Sequence, residues 1–238
     1  MATVLYEKPV SIELVGTNLI VNGQQHHKSV RLLNQMKKTL MKDVDGTDNP
    51  EMYYMFRNVY HNNDLRYDVT IIPARDIEGE CAKTYGHYHP AKDNGLQYPE
   101  VYQILNGNAV FLLQKKNRNG SVDTLLIHAK EKEVILIPPG YGHVSINPGE
   151  DMLVLCNLVY DKFESLYCDF EDNRGGAYYY RKGGEIVQNS NYMVQRNEWI
   201  TPQQLNEKYG FSCKDLLMEF HDNPKKFEFL EKPELLGK

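Results

Sequence analysis

Between Tyr53 and Tyr160 the chain consists of short runs of apolar, β-branched and aromatic residues that are separated by turn signals. Asn106-Gly107 and Asn119-Gly120 are dipeptides that favour tight turns between antiparallel strands. No long stretch of this region repeats its apolar residues at helical spacing. Many short strands with closely spaced turns predict an all-β fold, a small jelly-roll-like barrel.

The N-terminal flank predicts a hairpin and one helix. Residues 9–22 alternate partly between apolar and polar side chains around the turn-like Gly16-Thr17-Asn18, which indicates a β-hairpin. Between Ser29 and Lys42 apolar residues recur at about helical spacing, and Ser29 can cap a helix. We therefore expect one amphipathic helix that packs on the barrel through Val30, Leu33, Met36, Leu40 and Met41.

The C-terminal flank predicts short helices. Thr201-Pro202 at the start and Gly210 at the end are helix boundary signals, and a second helix is expected from about Ser212 to His221. A third is expected around Phe227, Phe229 and Leu230. The expected organisation is one folding unit of three segments: a hairpin and helix in 1–52, the barrel in 53–199 and a helical extension in 200–238.

The composition of the chain restricts the kinds of molecule that the protein is expected to bind. The chain has 238 residues, 27 Lys and Arg, and a formal net charge of −5, so it lacks the basic footprint of a nucleic-acid-binding protein. The N-terminus lacks the pattern of a secretory signal, and no apolar run is long enough to span a bilayer. The cysteines are too widely spaced for a zinc knuckle or a disulfide framework. We expect a soluble cytoplasmic protein with a small-molecule partner and free thiols at Cys81, Cys156, Cys168 and Cys213.

A His-x-His pair, His87 and His89, carries the strongest chemical signal. Side chains alternate along a strand, so both imidazoles of such a pair point to one face. Glu100 begins another strand-like run, and His143 follows an apolar run and the turn Pro138-Pro139-Gly140. Neighbouring strands could bring these three imidazoles and one carboxylate together, and such a donor set is typical of a metal site.

These segments resemble the cupin superfamily, most strongly in Pro138-x-Gly140-x-x-His143-x-x-x-Asn147 and in the spacing from Glu100 to Gly107. The connection from the second histidine to the glutamate, Pro90 to Pro99, is longer than is usual in cupins. This longer connection is similar to that of the cupin-type phosphoglucose isomerases, best known from archaea. Two further segments share the similarity, Thr70-Ile71-Ile72-Pro73 and Lys83-Thr84-Tyr85-Gly86-His87-Tyr88-His89. This resemblance covers the chain from about Tyr53 to Trp199.

The resemblance implies a metal-dependent aldose–ketose isomerase that interconverts glucose 6-phosphate and fructose 6-phosphate. Carried over by motif position, His87, His89, Glu100 and His143 are the metal ligands. Mixed nitrogen and oxygen ligation suits Fe, Mn, Ni or Zn, and the family favours iron or manganese. A homodimer is also expected.

The role of Glu100 stays open between two mechanisms. As a carboxylate beside C1 and C2 of the open sugar, it is the candidate catalytic base for proton transfer through a cis-enediol. As a tight ligand it has less freedom to move a proton, and a direct hydride shift would then require it only for binding.

The resemblance places the substrate phosphate on Thr70, on Thr84 and Gly86, and on Tyr102 and Tyr160. Strict alternation would send Thr84 and Gly86 to the face opposite His87. Because glycine in a strand often marks a bulge, we predict a break in the strand near Gly86 that turns all three toward one cavity.

Three alternative functions are compatible with the motifs. Another metal-dependent sugar-phosphate isomerase or epimerase would use the same donor set, and a cupin dioxygenase would differ by consuming oxygen. From another class, a non-catalytic cupin would bind the sugar phosphate without turnover.

Overall fold

The computed structural model describes residues 2–45 and 47–237. Most of the regular structure in this part of the chain is β-strand. The strands are β1 (Ala2–Tyr6), β2 (Ile12–Val15), β3 (Asn18–Val21), β4 (Gln24–Gln25), β5 (Ser29–Leu32), β6 (Glu51–Asn62), β7 (Leu65–Ile72), β8 (Asp76–Ile77), β9 (Glu80–Cys81), β10 (Glu100–Asn106), β11 (Asn108–Lys116), β12 (Val122–Lys130), β13 (Val134–Ile137), β14 (Tyr141–Ile146), β15 (Leu153–Tyr160), β16 (Tyr178–Tyr180), β17 (Ile186–Gln188) and β18 (Val194–Trp199).

The helices are short and lie mainly outside the strands of the barrel. The α-helices are α1 (Leu33–Met36), α2 (Cys168–Asp172), α3 (Pro202–Lys208) and α4 (Leu216–Asp222), and the 3-10 helices are Lys37–Thr39, Pro224–Leu230 and Pro233–Leu235. Within the described residues, no helix has the length and apolar character needed to cross a lipid bilayer. All four cysteines are free thiols, as expected.

Two β-sheets form the body of the molecule. The larger has the strand order β13-β10-β15-β7-β6-β5, and the smaller has the order β14-β11-β12-β18. Neighbouring strands are antiparallel, except that β18 runs parallel to β12 at the edge of the smaller sheet. Ile104 and Leu155 of the larger sheet share one apolar core with Phe111 and Ile127 of the smaller. The two sheets therefore face each other, as predicted from the strand pattern.

The outer face of the larger sheet is covered by the two ends of the chain. Tyr67, Val69 and Ile71 of β7 are completely buried there. They belong to one apolar cluster with residues from the N-terminal strands and from the C-terminal extension, namely Ile12, Leu14, Leu19, Leu216, Leu217, Phe220, Phe227 and Leu230. The predicted hairpin is confirmed, since β2 and β3 pair directly.

The C-terminal extension is also tied to the barrel by hydrogen bonds. The side chain of Gln103 on β10 accepts from the backbone N–H of Leu216 at 2.9 Å and donates to the carbonyl of Lys214 at 3.2 Å. The first predicted helix is confirmed as α3, which Thr201 caps. The second begins at Leu216 rather than near Ser212, because Asp215 is the residue that caps it.

The single amphipathic helix predicted for residues 29–42 is wrong. Ser29–Leu32 form β5, which pairs with β6 at the edge of the larger sheet, and helical turns are confined to Leu33–Thr39. The open edge of β6 offers backbone hydrogen bonds that local helical spacing cannot reveal. Leu33, Met36 and Leu40 are nevertheless buried in the core between the sheets.

We expect Phe227→Ala to lower the free energy of unfolding by about 3–5 kcal/mol, the usual cost of a large cavity in a packed core. Phe227 is completely buried and contacts the rings of Phe211 and Phe220. Chemical denaturation measures the change, with Leu235→Ala in the same extension as the control, because that side chain is 37% exposed. Equal stability of both variants would show that the extension does not stabilise the sheet.

Candidate metal centre

A cavity opens on the inner face of the larger sheet, which forms one wall, and the segments 84–89 and 163–167 form the other. Alternation along β7 directs Arg66, Asp68 and Thr70 into this cavity, whereas the residues between them are buried on the outer face. Glu100 and Tyr102 of β10 line the same wall. Polar side chains from neighbouring strands are thus gathered around one space.

The four predicted ligands meet at this cavity. Glu100 is the first residue of β10 and His143 lies within β14, so the larger and the smaller sheet each contribute one donor. His87 and His89 lie in the segment between β9 and β10. The backbone N–H and C=O groups of His87 and His143 exchange two hydrogen bonds, at 3.3 and 3.0 Å, which hold this segment against β14.

The donor atoms of the four residues lie within 4.8 Å of one another. His87 Nε2 is 3.1 Å from His89 Nε2, and Glu100 Oε2 is 3.3 Å from His89 Nε2 and 3.2 Å from His143 Nε2. His89, Glu100 and His143 are at most 4% exposed, and His87 is partly exposed toward the cavity. The cluster is therefore a nearly dry site with one accessible side.

Neighbouring groups orient two of the donors. His89 Nδ1 lies 2.9 Å from the carbonyl oxygen of Tyr98, which can only accept, so Nδ1 carries the proton and Nε2 is turned toward the cluster. Glu100 Oε1 accepts from Asn157 Nδ2 at 2.7 Å, which leaves Oε2 for the cluster. Contacts of this kind set the geometry of metal ligands in proteins.

The arrangement fits a cation. When His89 is neutral, its Nε2 lone pair faces Glu100 Oε2 and a second imidazole, and electron pairs at such distances repel each other. Glu100 Oε2 is buried and has no hydrogen-bond donor within the described part of the chain. A divalent ion bound by three nitrogen atoms and one oxygen atom would satisfy all four donors.

The protonation states favour the same interpretation. Burial lowers the pKa of His87 well below its ordinary value, and the charges of His143 and His89 lower it further. Burial also lowers the pKa of His143. Burial alone would raise the pKa of Glu100, but positive charge and N–H donors on the His143 and His89 side of the carboxylate hold that pKa well below the usual range. Neutral imidazoles and an ionised carboxylate are the forms that bind a metal.

The predicted break near Gly86 is confirmed. Gly86 has φ +86°, and a Cβ atom there would lie 2.6 Å from the ring of Phe170. The segment forms only isolated bridges, at Lys83, His87 and Tyr88, instead of a regular strand. Because the backbone turns at Gly86, Thr84, Gly86 and His87 all line the cavity.

The other predicted substrate contacts also line the cavity, at different depths. Thr70 and Tyr102 are buried, and the Tyr102 hydroxyl lies 3.2 Å from His143 Nε2, next to the donor cluster. Tyr160 is half-buried and stacks on the ring of Tyr98. The structure therefore brings together all nine residues that the sequence singled out for metal and substrate.

Sequence reasoning missed several groups in the cavity. They are Asn157, the carbonyl of Tyr98, Asp68, the aromatic residue Phe163 packed on His89, and three arginines, Arg31, Arg57 and Arg66. The alternation of Arg66, Asp68 and Thr70 with apolar residues was a signal for the wall position of the first two. No motif pointed to the others.

A family model for glucose-6-phosphate isomerase matches residues 33–197. The chain belongs to the glucose-6-phosphate isomerase family. This confirms the resemblance that the motifs indicated, and the two facing sheets with the His-x-His, Glu and His donors confirm its cupin fold. A search of curated proteins gave no match.

Several solved structures are similar to parts of this isomerase-family chain. Oxalate decarboxylase from Bacillus subtilis matches with 16% identity over 48% of this chain and 26% of its own, with a TM-score of 0.35. Peruvianin-I, a cysteine peptidase from Thevetia peruviana latex, matches with 12% identity over 45% of this chain and 60% of its own, with a TM-score of 0.35. The chain thus spans about a quarter of the length of the oxalate decarboxylase.

We expect Asn157→Ala to weaken divalent cation binding by about 10- to 100-fold, because Glu100 loses the donor that holds its second oxygen. Isothermal titration of chelated protein with Mn²⁺ measures the affinity. Asn119→Ala, in an exposed turn, is the matched control and should leave the affinity unchanged. Wild-type affinity in Asn157→Ala would mean that Glu100 does not depend on this contact.

Proposed function

We propose that this chain interconverts glucose 6-phosphate and fructose 6-phosphate with a divalent cation held by His87, His89, Glu100 and His143. The observation that carries the proposal is the convergence of these four donors within 4.8 Å at a cavity, in a chain of the glucose-6-phosphate isomerase family. When bound, such a cation supplies Lewis-acid polarisation of the sugar carbonyl. The residues around it bind and orient the substrate.

In this proposal the hexose phosphate contacts Thr70, Thr84, Gly86, Tyr102 and Tyr160. Their common position in the cavity beside the donor cluster supports these assignments. Hydroxyl groups and backbone N–H groups can hold a phosphate by charge-assisted hydrogen bonds. The Tyr102 hydroxyl lies 3.2 Å from His143 Nε2, so it suits a sugar oxygen near the cation better than the phosphate.

Glu100 is the candidate catalytic residue, and its surroundings favour one of the two mechanisms. Asn157 holds Oε1, and Oε2 faces the histidines, so both oxygens are engaged. A carboxylate in this state is poorly placed to carry a proton between C1 and C2. We therefore assign Glu100 the role of a ligand and orienting group in a direct hydrogen shift.

Isomerisation in deuterated water tests this assignment. We expect little solvent deuterium at C1 or C2 of the product, because a direct shift keeps the hydrogen on the substrate. Mass spectrometry or NMR of the product measures the label. Extensive labelling would restore Glu100 to the role of catalytic base, acting through a cis-enediol.

Metal removal and return test the proposed function itself. Conversion of fructose 6-phosphate, read through a glucose-6-phosphate dehydrogenase coupling, should be lost on chelation and restored by one of Fe, Mn, Ni or Zn. His89→Ala should abolish restoration, whereas His128→Ala should not, because His128 stacks on Trp199 away from the cavity. Binding of the sugar phosphate without turnover would favour a non-catalytic cupin, and oxygen consumption would favour a dioxygenase.

Four finer features belong to the same proposal, the first from the family resemblance and the last two from the sequence pattern. They are iron or manganese as the cation, a homodimer, a cytoplasmic location, and one folding unit made of 1–52, 53–199 and 200–238. Metal analysis of the purified protein and its mass in solution address the first two directly.

A further inference from the structure

Three arginines line the cavity that contains the donor cluster. Arg31 lies on β5, Arg57 on β6 and Arg66 on β7, which are adjacent strands of the larger sheet. Alternation directs Tyr53, Met55 and Arg57 of β6 to the same inner face. The guanidinium groups therefore gather on one side of the cavity, at the β5 edge of the sheet.

In two of the three arginines, the Nε atom of the guanidinium group donates a hydrogen bond to a neighbouring side chain. Arg31 Nε donates to the hydroxyl of Tyr53 at 3.3 Å, and its guanidinium lies 5.2 Å from the ring centre of Tyr85. Arg66 Nε donates to both carboxylate oxygens of Asp68 at 2.9 Å. Within the described residues, the terminal nitrogen atoms of both arginines have no hydrogen-bond partner, and they remain free to bind a ligand.

Arg57 is different, because its whole guanidinium group lacks a hydrogen bond or ion pair within the described part of the chain. It lines the same cavity as His87. Arginine stays charged under all ordinary conditions, so it cannot relieve repulsion by losing a proton. A cation that faces the site of another cation favours the binding of an anion between them.

The charges of the cavity do not balance without such an anion. Asp68 neutralises one of the three arginines, and Glu100 is directed toward the histidines. Two positive charges remain, and a divalent metal would add two more. A phosphate dianion would offset two of these positive charges, and its oxygen atoms match the guanidinium fork.

Asp68 organises two of the three arginines. Phe56 pairs with Val69 and Tyr60 pairs with Tyr67, so residues 57–59 of β6 lie opposite Asp68 alone and form a bulge. The Asp68 carboxylate closes this bulge by accepting from the N–H of Asn58 at 2.7 Å, while it also holds Arg66. Asp68 is only 6% exposed, so its carboxylate is largely shielded from water.

We infer that Arg31, Arg57 and Arg66 form the phosphate subsite of this cavity, with Asp68 as the positioning residue for Arg57 and Arg66. The subsite makes the protein select a phosphorylated hexose over the free sugar. This inference rests on the proposed function and deepens it: the threonine and glycine contacts shape the anion site, and the guanidinium groups supply its charge.

Arg57→Met is the most direct test, because this side chain is exposed at the cavity and its loss breaks no hydrogen bond or ion pair within the described residues. We expect its KM for fructose 6-phosphate to rise by about 10- to 100-fold, the effect of losing a charge-assisted hydrogen bond. Mn²⁺ affinity and kcat should stay within a few-fold of the wild type. Arg118→Met, in an exposed turn, is the matched control and should not change KM.

A second variant tests Arg66 and Asp68 together. The double variant Arg66→Met/Asp68→Asn leaves no buried charge unpaired and retains an acceptor for the N–H of Asn58. It should also raise KM about 10- to 100-fold while Mn²⁺ affinity is kept. The single variant Asp68→Asn, which retains Arg66, should raise KM without a comparable fall in kcat, and Asp68→Glu should recover part of the loss.

Direct binding separates the subsite from the reaction. Titration of the Mn²⁺-loaded protein with fructose 6-phosphate, with inorganic phosphate and with fructose requires no turnover. The subsite predicts binding of both phosphates, weakened in Arg57→Met, and much weaker binding of fructose. Unchanged phosphate binding and KM in both arginine variants would overturn the inference while the proposed function stands. Arginine-dependent phosphate binding without isomerisation by any metal would overturn the proposed function and leave the subsite intact.

Discussion

The alternation of side chains along β7 is the constraint on which the larger sheet depends. Tyr67, Val69 and Ile71 point outward into the cluster under the chain ends, and Arg66, Asp68 and Thr70 point inward to the cavity. A shift by one residue would exchange these sets and place charges in an apolar core. Full burial of each large apolar side chain contributes about 1.5–3 kcal/mol, so the outer face stabilises the register that the inner face requires.

The inner face of the same strand changes character along its length. Ile72 is buried in the apolar core between the sheets, whereas Thr70, Asp68 and Arg66 line the cavity. Buried polar groups are tolerated where they are hydrogen-bonded, and here the bonds run from Asn157 to Glu100 and from Asn58 and Arg66 to Asp68. The site is thus built on strands that a large apolar cluster already holds in place.

Much of this architecture could be predicted from sequence because its signals are local. The His-x-His pair, the Pro-Pro-Gly turn before His143 and the tight turns between strands depend on residues close together in the chain. The edge strand Ser29–Leu32 could not be found in this way, since its partner β6 lies more than a dozen residues away and its own apolar spacing favours a helix. Asn157 and Arg57 were missed for a related reason, since only the sheet register reveals that Asn157 contacts Glu100 and that the bulge at Arg57 lies opposite Asp68.

The parallel pairing of β18 with β12 determines how the smaller sheet ends. β18 is the last strand on that side, and its Arg196 and Glu198 are exposed and paired with each other at 2.5 Å. A sheet edge with unpaired backbone groups invites a strand from another molecule, and charged side chains along it oppose such addition because they would have to lose their water. The charged pair in the middle of β18 therefore opposes the addition of a strand from another molecule at this edge.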